Sequence, residues 1–175
     1  MRRILVSCAV VGVLALPAAA IARAQGGGGR PGYVVVSKAV GNGGVNGSPV
    51  VTVVVQGFVL GRASQEARVE IYQLPSAGGG GGSTAVGLDV SKAVVHWRRF
   101  TGTRYSGSAF RFRAIGGAYR VVVRGSGVSL FAGGHGTVVL HGSSVYRAAD
   151  GAYAIGGRAF RSLPARPLDL PIGRG

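Results

Sequence analysis

The sequence predicts an all-β fold, a single antiparallel β-sandwich or small barrel-like meander, preceded by a signal-peptide helix. Three observations carry this. Runs of Val, Ile, Tyr and Phe recur from Tyr33 onward, and these are residues that fit a pleated, half-buried surface. Gly, Asn, Ser and Pro punctuate the runs at short intervals, as turns between strands require. No segment after residue 24 offers a capped helical period of useful length.

The start of the chain has the layout of an export signal. Met1-Arg2-Arg3 is positive, Ile4 to Leu16 is largely apolar, Pro17 ends that run, and Ala22-Arg23-Ala24 supplies small residues before a cut. Residues 1–24 are therefore expected to be a signal peptide, cleaved between Ala24 and Gln25. The apolar run falls short of the ~20 residues a spanning helix needs, so no transmembrane span is expected after cleavage. Leu5-Val6-Ser7-Cys8 spells a lipoprotein cleavage site, but too little apolar sequence precedes the cysteine for it to work. Arg2-Arg3 matches a twin-arginine signal no better than it matches any basic start. Cleavage would remove Cys8, the one cysteine, which excludes disulfides, thiol catalysis and cysteine-bound zinc from the product.

A glycine-rich spacer follows at 25–32, then an all-β domain over 33–163 with a mobile Gly-rich loop at 76–83, and a Pro-rich tail at 164–175. Strands are expected at 33–40, 50–60, 67–74 and, with an interruption, 85–100. Beyond these, turn chemistry predicts a register. With Gly116-Gly117 as a hairpin turn, Phe112 faces Val121, Phe110 faces Val123, and Arg113 faces Arg120. One side of the pair is then apolar and the other bears arginine. A second turn at Gly125-Ser126 sets Val121 against Leu130. A loop at 133–136 returns Val139 and His141 to the core side and sends Phe131, Val138 and Leu140 to the other. An antiparallel meander over 110–142 results. Asp150-Gly151 predicts a further hairpin, joining 146–149 to 152–155. Ala114-Ile115-Gly116-Gly117 and Ala154-Ile155-Gly156-Gly157 read as similar hairpin corners. Pro164, Pro167 and Pro171 make the tail a poor central strand. A short β-helix is the competing architecture, with too few units to stack.

The precursor carries a formal charge of +15, and loss of Arg2, Arg3 and Arg23 leaves +12. Lysine occurs only at Lys38 and Lys92, a skew toward arginine that suits a GC-rich bacterial genome. Glu66, Glu70, Asp89, Asp150 and Asp169 are the only acids. So positive a field attracts polyanions, which outside a cell means anionic lipid or wall polymer before nucleic acid.

Recognised catalytic and cofactor patterns are missing. His96, His135 and His141 have no metal-ligand spacing, so neither a metal nor a cofactor is expected. No Gly-x-Ser-x-Gly elbow occurs. Glu66 and Glu70 lie too far apart on a strand for glycosidase chemistry, and are expected to neutralise Arg62 and Arg68. The feature with functional content is a run of seven arginines without an acid: Arg98, Arg99, Arg104, Arg111, Arg113, Arg120 and Arg124. Trp97, Phe100 and Tyr105 are interleaved with its start. Cations mixed with aromatic rings suit a phosphate-bearing surface. The expectation is a non-enzymatic, exported, envelope-associated β-domain that binds an anionic wall polymer or lipid surface through this face. The competing expectations are an extracellular hydrolase using His96 or His141 with an acid, and a purely structural envelope module.

Overall fold

The computed structural model describes residues 30–39, 49–75, 86–89, 93–99, 102–142 and 151–173, with 86–89 and 93–99 described as backbone. The signal segment, the loop at 76–83 and the expected strand at 146–149 lie outside the described residues. The fold is all-β, with every pairing antiparallel, and no helix occurs among the described residues. The strands are β1 (Gly32–Ala39), β2 (Val50–Ala63), β3 (Ala67–Leu74), β4 (Val86–Asp89), β5 (Ala93–Arg99), β6 (Gly102–Gly107), β7 (Phe110–Gly125), β8 (Val128–His141), β9 (Ala152–Ile155), β10 (Arg161–Ser162) and β11 (Leu168–Ile172). They form one sheet in the order β10-β9-β1-β8-β2-β7-β3-β6-β5, with β4 added to β7 and β11 to β8.

β2 lies at the centre. β7 pairs along its whole length on one side and β8 along its whole length on the other. β7 and β8 follow each other in the chain yet are separated by β2. The predicted hairpins at Gly116-Gly117 and Gly125-Ser126, and the meander built on them, are therefore replaced by a different topology. β7 continues as one strand through the two glycines, and residues 50–63 pair with it along its length.

Contacts at one rim show that β2 doubles back. The Gly125 amide donates to the Pro49 carbonyl at 3.3 Å, and the Ser64 amide donates to the Gly127 carbonyl at 3.1 Å. Residues just before and just after β2 thus meet neighbouring residues of one short turn. A straight strand of that length would hold its ends more than ~40 Å apart. The reversal falls where Gly57 of β2 opposes Gly117 of β7 and Gly134 of β8. These glycines allow it because the strands approach too closely for side chains. A Cβ on Gly57 would strike the Gly133 carbonyl oxygen, and one on Gly134 the Gln56 carbonyl oxygen, at φ values of +153° and +134° that disfavour other residues.

Both halves of β2 bury the same alternate positions, Val51, Val53 and Val55 before the reversal, Val59 and Ala63 after it. They join one core with Val34, Val69, Phe110, Tyr119, Val121, Leu130 and Leu140. Val54, on the opposite face, is buried as well, outside that core cluster. β7 stays in phase through a bulge. The pairing skips Gly116, so Phe110, Phe112 and Ala114 face inward before it, and Tyr119, Val121 and Val123 after it. The Tyr119 hydroxyl donates to the Ile115 carbonyl at 2.9 Å and spans the bulge. In β8 the strand continues through residues 133–136, so its alternation is never reset. Val138 and Leu140 are consequently buried, and Val139 and His141 lie on the outer face, the reverse of the expected assignment. In the tail, β11 pairs with β8 alone.

Candidate anion-binding surfaces

Alternation along the strands that bury this core places the other residues on the opposite face, where Val54 and Thr137 are buried and the rest form two groups on either side of the reversal. The first lies over β6, β3 and the second half of β7. Arg68 opposes Arg124 on one side and Ser106 on the other, Tyr72 opposes Arg120, and Glu70 opposes Arg104. Glu70 is fully engaged: its Oε1 accepts from Arg104 Nε at 2.8 Å, and its Oε2 accepts from the Tyr72 hydroxyl at 2.8 Å. The Arg120 guanidinium lies 5.6 Å from the centre of the Tyr72 ring. Burial raises the Tyr72 pKa above its ordinary value; the hydrogen bond to Glu70 and the charge of Glu70 add to this, while Arg120 and Arg104 oppose it. Of the four arginines in this group, the carboxylate forms an ion pair with Arg104 alone. The Nε atoms of Arg68 and Arg120 are buried with no acceptor among the described residues.

The second group lies over β7, β2, β8 and β1 beyond the reversal, and forms three cross-strand rows. Nearest the glycines, Ile115, Phe58, Gly133 and Tyr33 are in register. The next row is Arg113, Leu60, Phe131 and Val35. The row at the rim is Arg111, Arg62 and Ser129, and β4 sets Asp89 opposite Arg111 at its other end. The surface thus grades from aromatic to cationic over three positions. Phe131 is the hinge of its apolar part, with the Tyr33 ring 5.9 Å away edge-on and the Phe58 ring 5.3 Å away. Tyr33, Leu60, Ile115 and Phe131 are all exposed, from 37% to 45%.

The seven arginines of the sequence run do not share one surface. Arg111 and Arg113 are exposed in the second group, whereas Arg104, Arg120 and Arg124 are half-buried in the first. Arg113 opposes Leu60 rather than Arg120. Arg98 and Arg99 lie in β5, where the backbone of Trp97 pairs with Arg104, and their side chains are outside the described residues. So are the side chains of His96 and Phe100. Tyr105 is buried in the core and is no part of an exposed array. Arg62, Arg68, Tyr33, Phe58 and Phe131 were outside the run, because register rather than sequence proximity assembles the surface. Glu70 pairs with Arg104 in place of the expected Arg68.

No known protein family, curated protein or solved structure matches this chain. Among the described residues, no three His, Cys, Asp or Glu side chains gather where a metal could sit. No helix among them is long and apolar enough to cross a membrane.

Proposed function

We propose that this chain is an exported, non-enzymatic bacterial β-domain whose doubled-back sheet closes as a sandwich and docks on an anionic lipid surface of the cell envelope. The observation that carries this reading is the graded face, Ile115, Phe58 and Tyr33 passing through Leu60 and Phe131 to Arg113, Arg111 and Arg62. Arg62 and Arg111 are opposed like charges, which destabilise a sheet. With Asp89 the one acid set against Arg111, Arg62, Arg111 and Arg113 leave this edge net positive, and anionic headgroups would offset the remaining repulsion. Exposed aromatic rings beside the cations favour lipid over a soluble polymer. Aromatic side chains gain by lodging at the headgroup boundary, and each arginine near an anionic leaflet contributes about 1 kcal/mol.

Co-sedimentation of the protein with phosphatidylglycerol and phosphatidylcholine vesicles tests this. Binding is expected to the anionic vesicles alone and to weaken as salt shortens the Debye length from ~10 Å at 0.1 M. The double substitution Arg111→Ser, Arg113→Ser should lower vesicle affinity about thirtyfold, and Phe131→Ser should lower it without changing its salt dependence. Equal binding to neutral vesicles, or full affinity in the arginine variant, would overturn the proposal. Capture by soluble teichoic-type polymer with no vesicle binding would move the ligand to the wall.

A further inference from the structure

A concave feature adjoins the Tyr33 end of the second group, where the chain enters β1, turns from β9 toward β10, and ends β11. It is a cavity of about 490 Å³, within the ~300–1,000 Å³ range of small-molecule sites. Its apolar wall continues the core, because Tyr153 is part of the buried cluster and Ile155 and Leu170 pack against it. Three arginines from separate segments complete the lining: Arg30 ahead of β1, Arg158 after the β9 turn, and Arg161 in β10. No acidic residue lines it. Asp169, the adjacent acid in β11, is exposed and lies outside the lining.

The position of Arg158 is fixed by local backbone chemistry. Its amide donates to the Ile155 carbonyl at 3.1 Å, which closes a turn across Gly156 and Gly157. Both glycines have positive φ, +57° and +76°, the geometry of a tight turn that glycine enters without strain. The Gly156 amide donates to the Tyr33 carbonyl at 2.9 Å and anchors the turn to β1. The guanidinium is thus presented from a braced turn. Among the described residues, none of the three arginine side chains has a hydrogen-bond or ion-pair partner.

Cations of one sign around an apolar cleft focus a positive potential inside it. Guanidinium groups match carboxylate or phosphate oxygens in pairs, and an apolar wall rewards a hydrocarbon body. We infer that this cavity binds an amphiphilic anion, a molecule with an apolar body and a carboxylate or phosphate head, the head held by Arg30, Arg158 and Arg161 and the body against Tyr153, Ile155 and Leu170. The site adjoins the graded face at Tyr33 but uses different cations, so the two proposals are tested by different arginine variants.

Calorimetric titration of the full chain with laurate, dodecyl phosphate, dodecanol and inorganic phosphate, each below its aggregation concentration, tests the assignment. Both anionic amphiphiles should bind, and whichever binds tighter identifies the head. Dodecanol and inorganic phosphate should each bind at least about tenfold more weakly. Arg158→Ser, Arg161→Ser, at exposed positions that leave the core intact, should lower affinity for both anions by at least about tenfold. Arg111→Ser, Arg113→Ser should leave it unchanged. Equal affinity for dodecanol, full affinity for inorganic phosphate alone, retained binding in the Arg158/Arg161 variant, or loss of binding in the Arg111/Arg113 variant would each overturn the inference.

Discussion

Glu70 is half-buried among Arg68, Arg104, Arg120 and Arg124, and its two oxygens are divided between Arg104 and the Tyr72 hydroxyl. The pair it makes with Arg104 is partly exposed, so the interaction alone contributes modestly. Its larger effect is to interrupt a field of like charges. Glu70→Gln should therefore lower stability by about 1 kcal/mol in urea unfolding. The same change removes the charge of Glu70, one of the three causes that raise the Tyr72 pKa, and weakens a second, because a neutral amide oxygen accepts the hydroxyl's hydrogen bond less strongly than a carboxylate. Ultraviolet titration, with Tyr72→Phe as reference, should find Tyr72 ionising nearer its ordinary 10.0 in the variant. The linkage has a definite sign. With the folded value raised, an unfolded tyrosine loses its proton first, so this contribution is complete below pH 10 and is lost as pH climbs through the folded value. A Tyr72 titration unmoved by Glu70→Gln would show that the carboxylate does not govern the phenol.

Among the strands, the glycines at the reversal do what no capping or turn signal announces. Gly134→Ala would drive a methyl group into the Gln56 carbonyl at a disfavoured φ, with backbone on the other side that cannot give way. Gly116→Ala, at φ +78° but with open space around it, incurs only the conformational cost of about 1 kcal/mol. Thermal unfolding should rank Gly134→Ala well below Gly116→Ala, and equal midpoints would mean that the strands do not approach so closely. The same glycines explain what the sequence discloses. β3 is legible to its last residue, since Ala67–Leu74 alternates cleanly between turn residues. The inward and outward residues of β7 are legible too, although the two glycines form a bulge and not a turn, because either device inverts the alternation once. The alternation in the second half of β8 departs from the expected one for the complementary reason, since a loop at 133–136 would shift the phase that the continuous strand keeps. β6, Gly-Thr-Arg-Tyr-Ser-Gly, carries too little apolar pattern to announce itself. Which strands are neighbours is not written in any turn, and so the grouping of Arg62 with Arg111, or of Arg68 with Arg124, was hidden with it.

Over the molecule as a whole, the charge balance sets a condition on stability. The formal charge is +15, with Arg104 and Glu70 held as an ion pair. Self-repulsion of this kind weakens the compact state and is relieved by salt. Ions that bind the folded form stabilise it further by mass action. The unfolding midpoint should rise with sodium chloride and rise more with sodium phosphate at equal ionic strength. Identical midpoints in the two salts would argue that the outward arginines hold no multivalent anion in preference to chloride.

The central place of β2 also has a temporal meaning. Residues 50–63 leave the ribosome long before 110–141, the segment that covers both their edges. At synthesis rates of ~5–20 residues per second, that interval lasts on the order of several seconds. During it the chain carries Val50-Val51-Thr52-Val53-Val54-Val55, an uncharged β-forming stretch without proline, of the composition that seeds cross-β stacking. The nascent protein consequently depends on being held apart from its own copies, by a chaperone or by dilution, until its last long strand arrives.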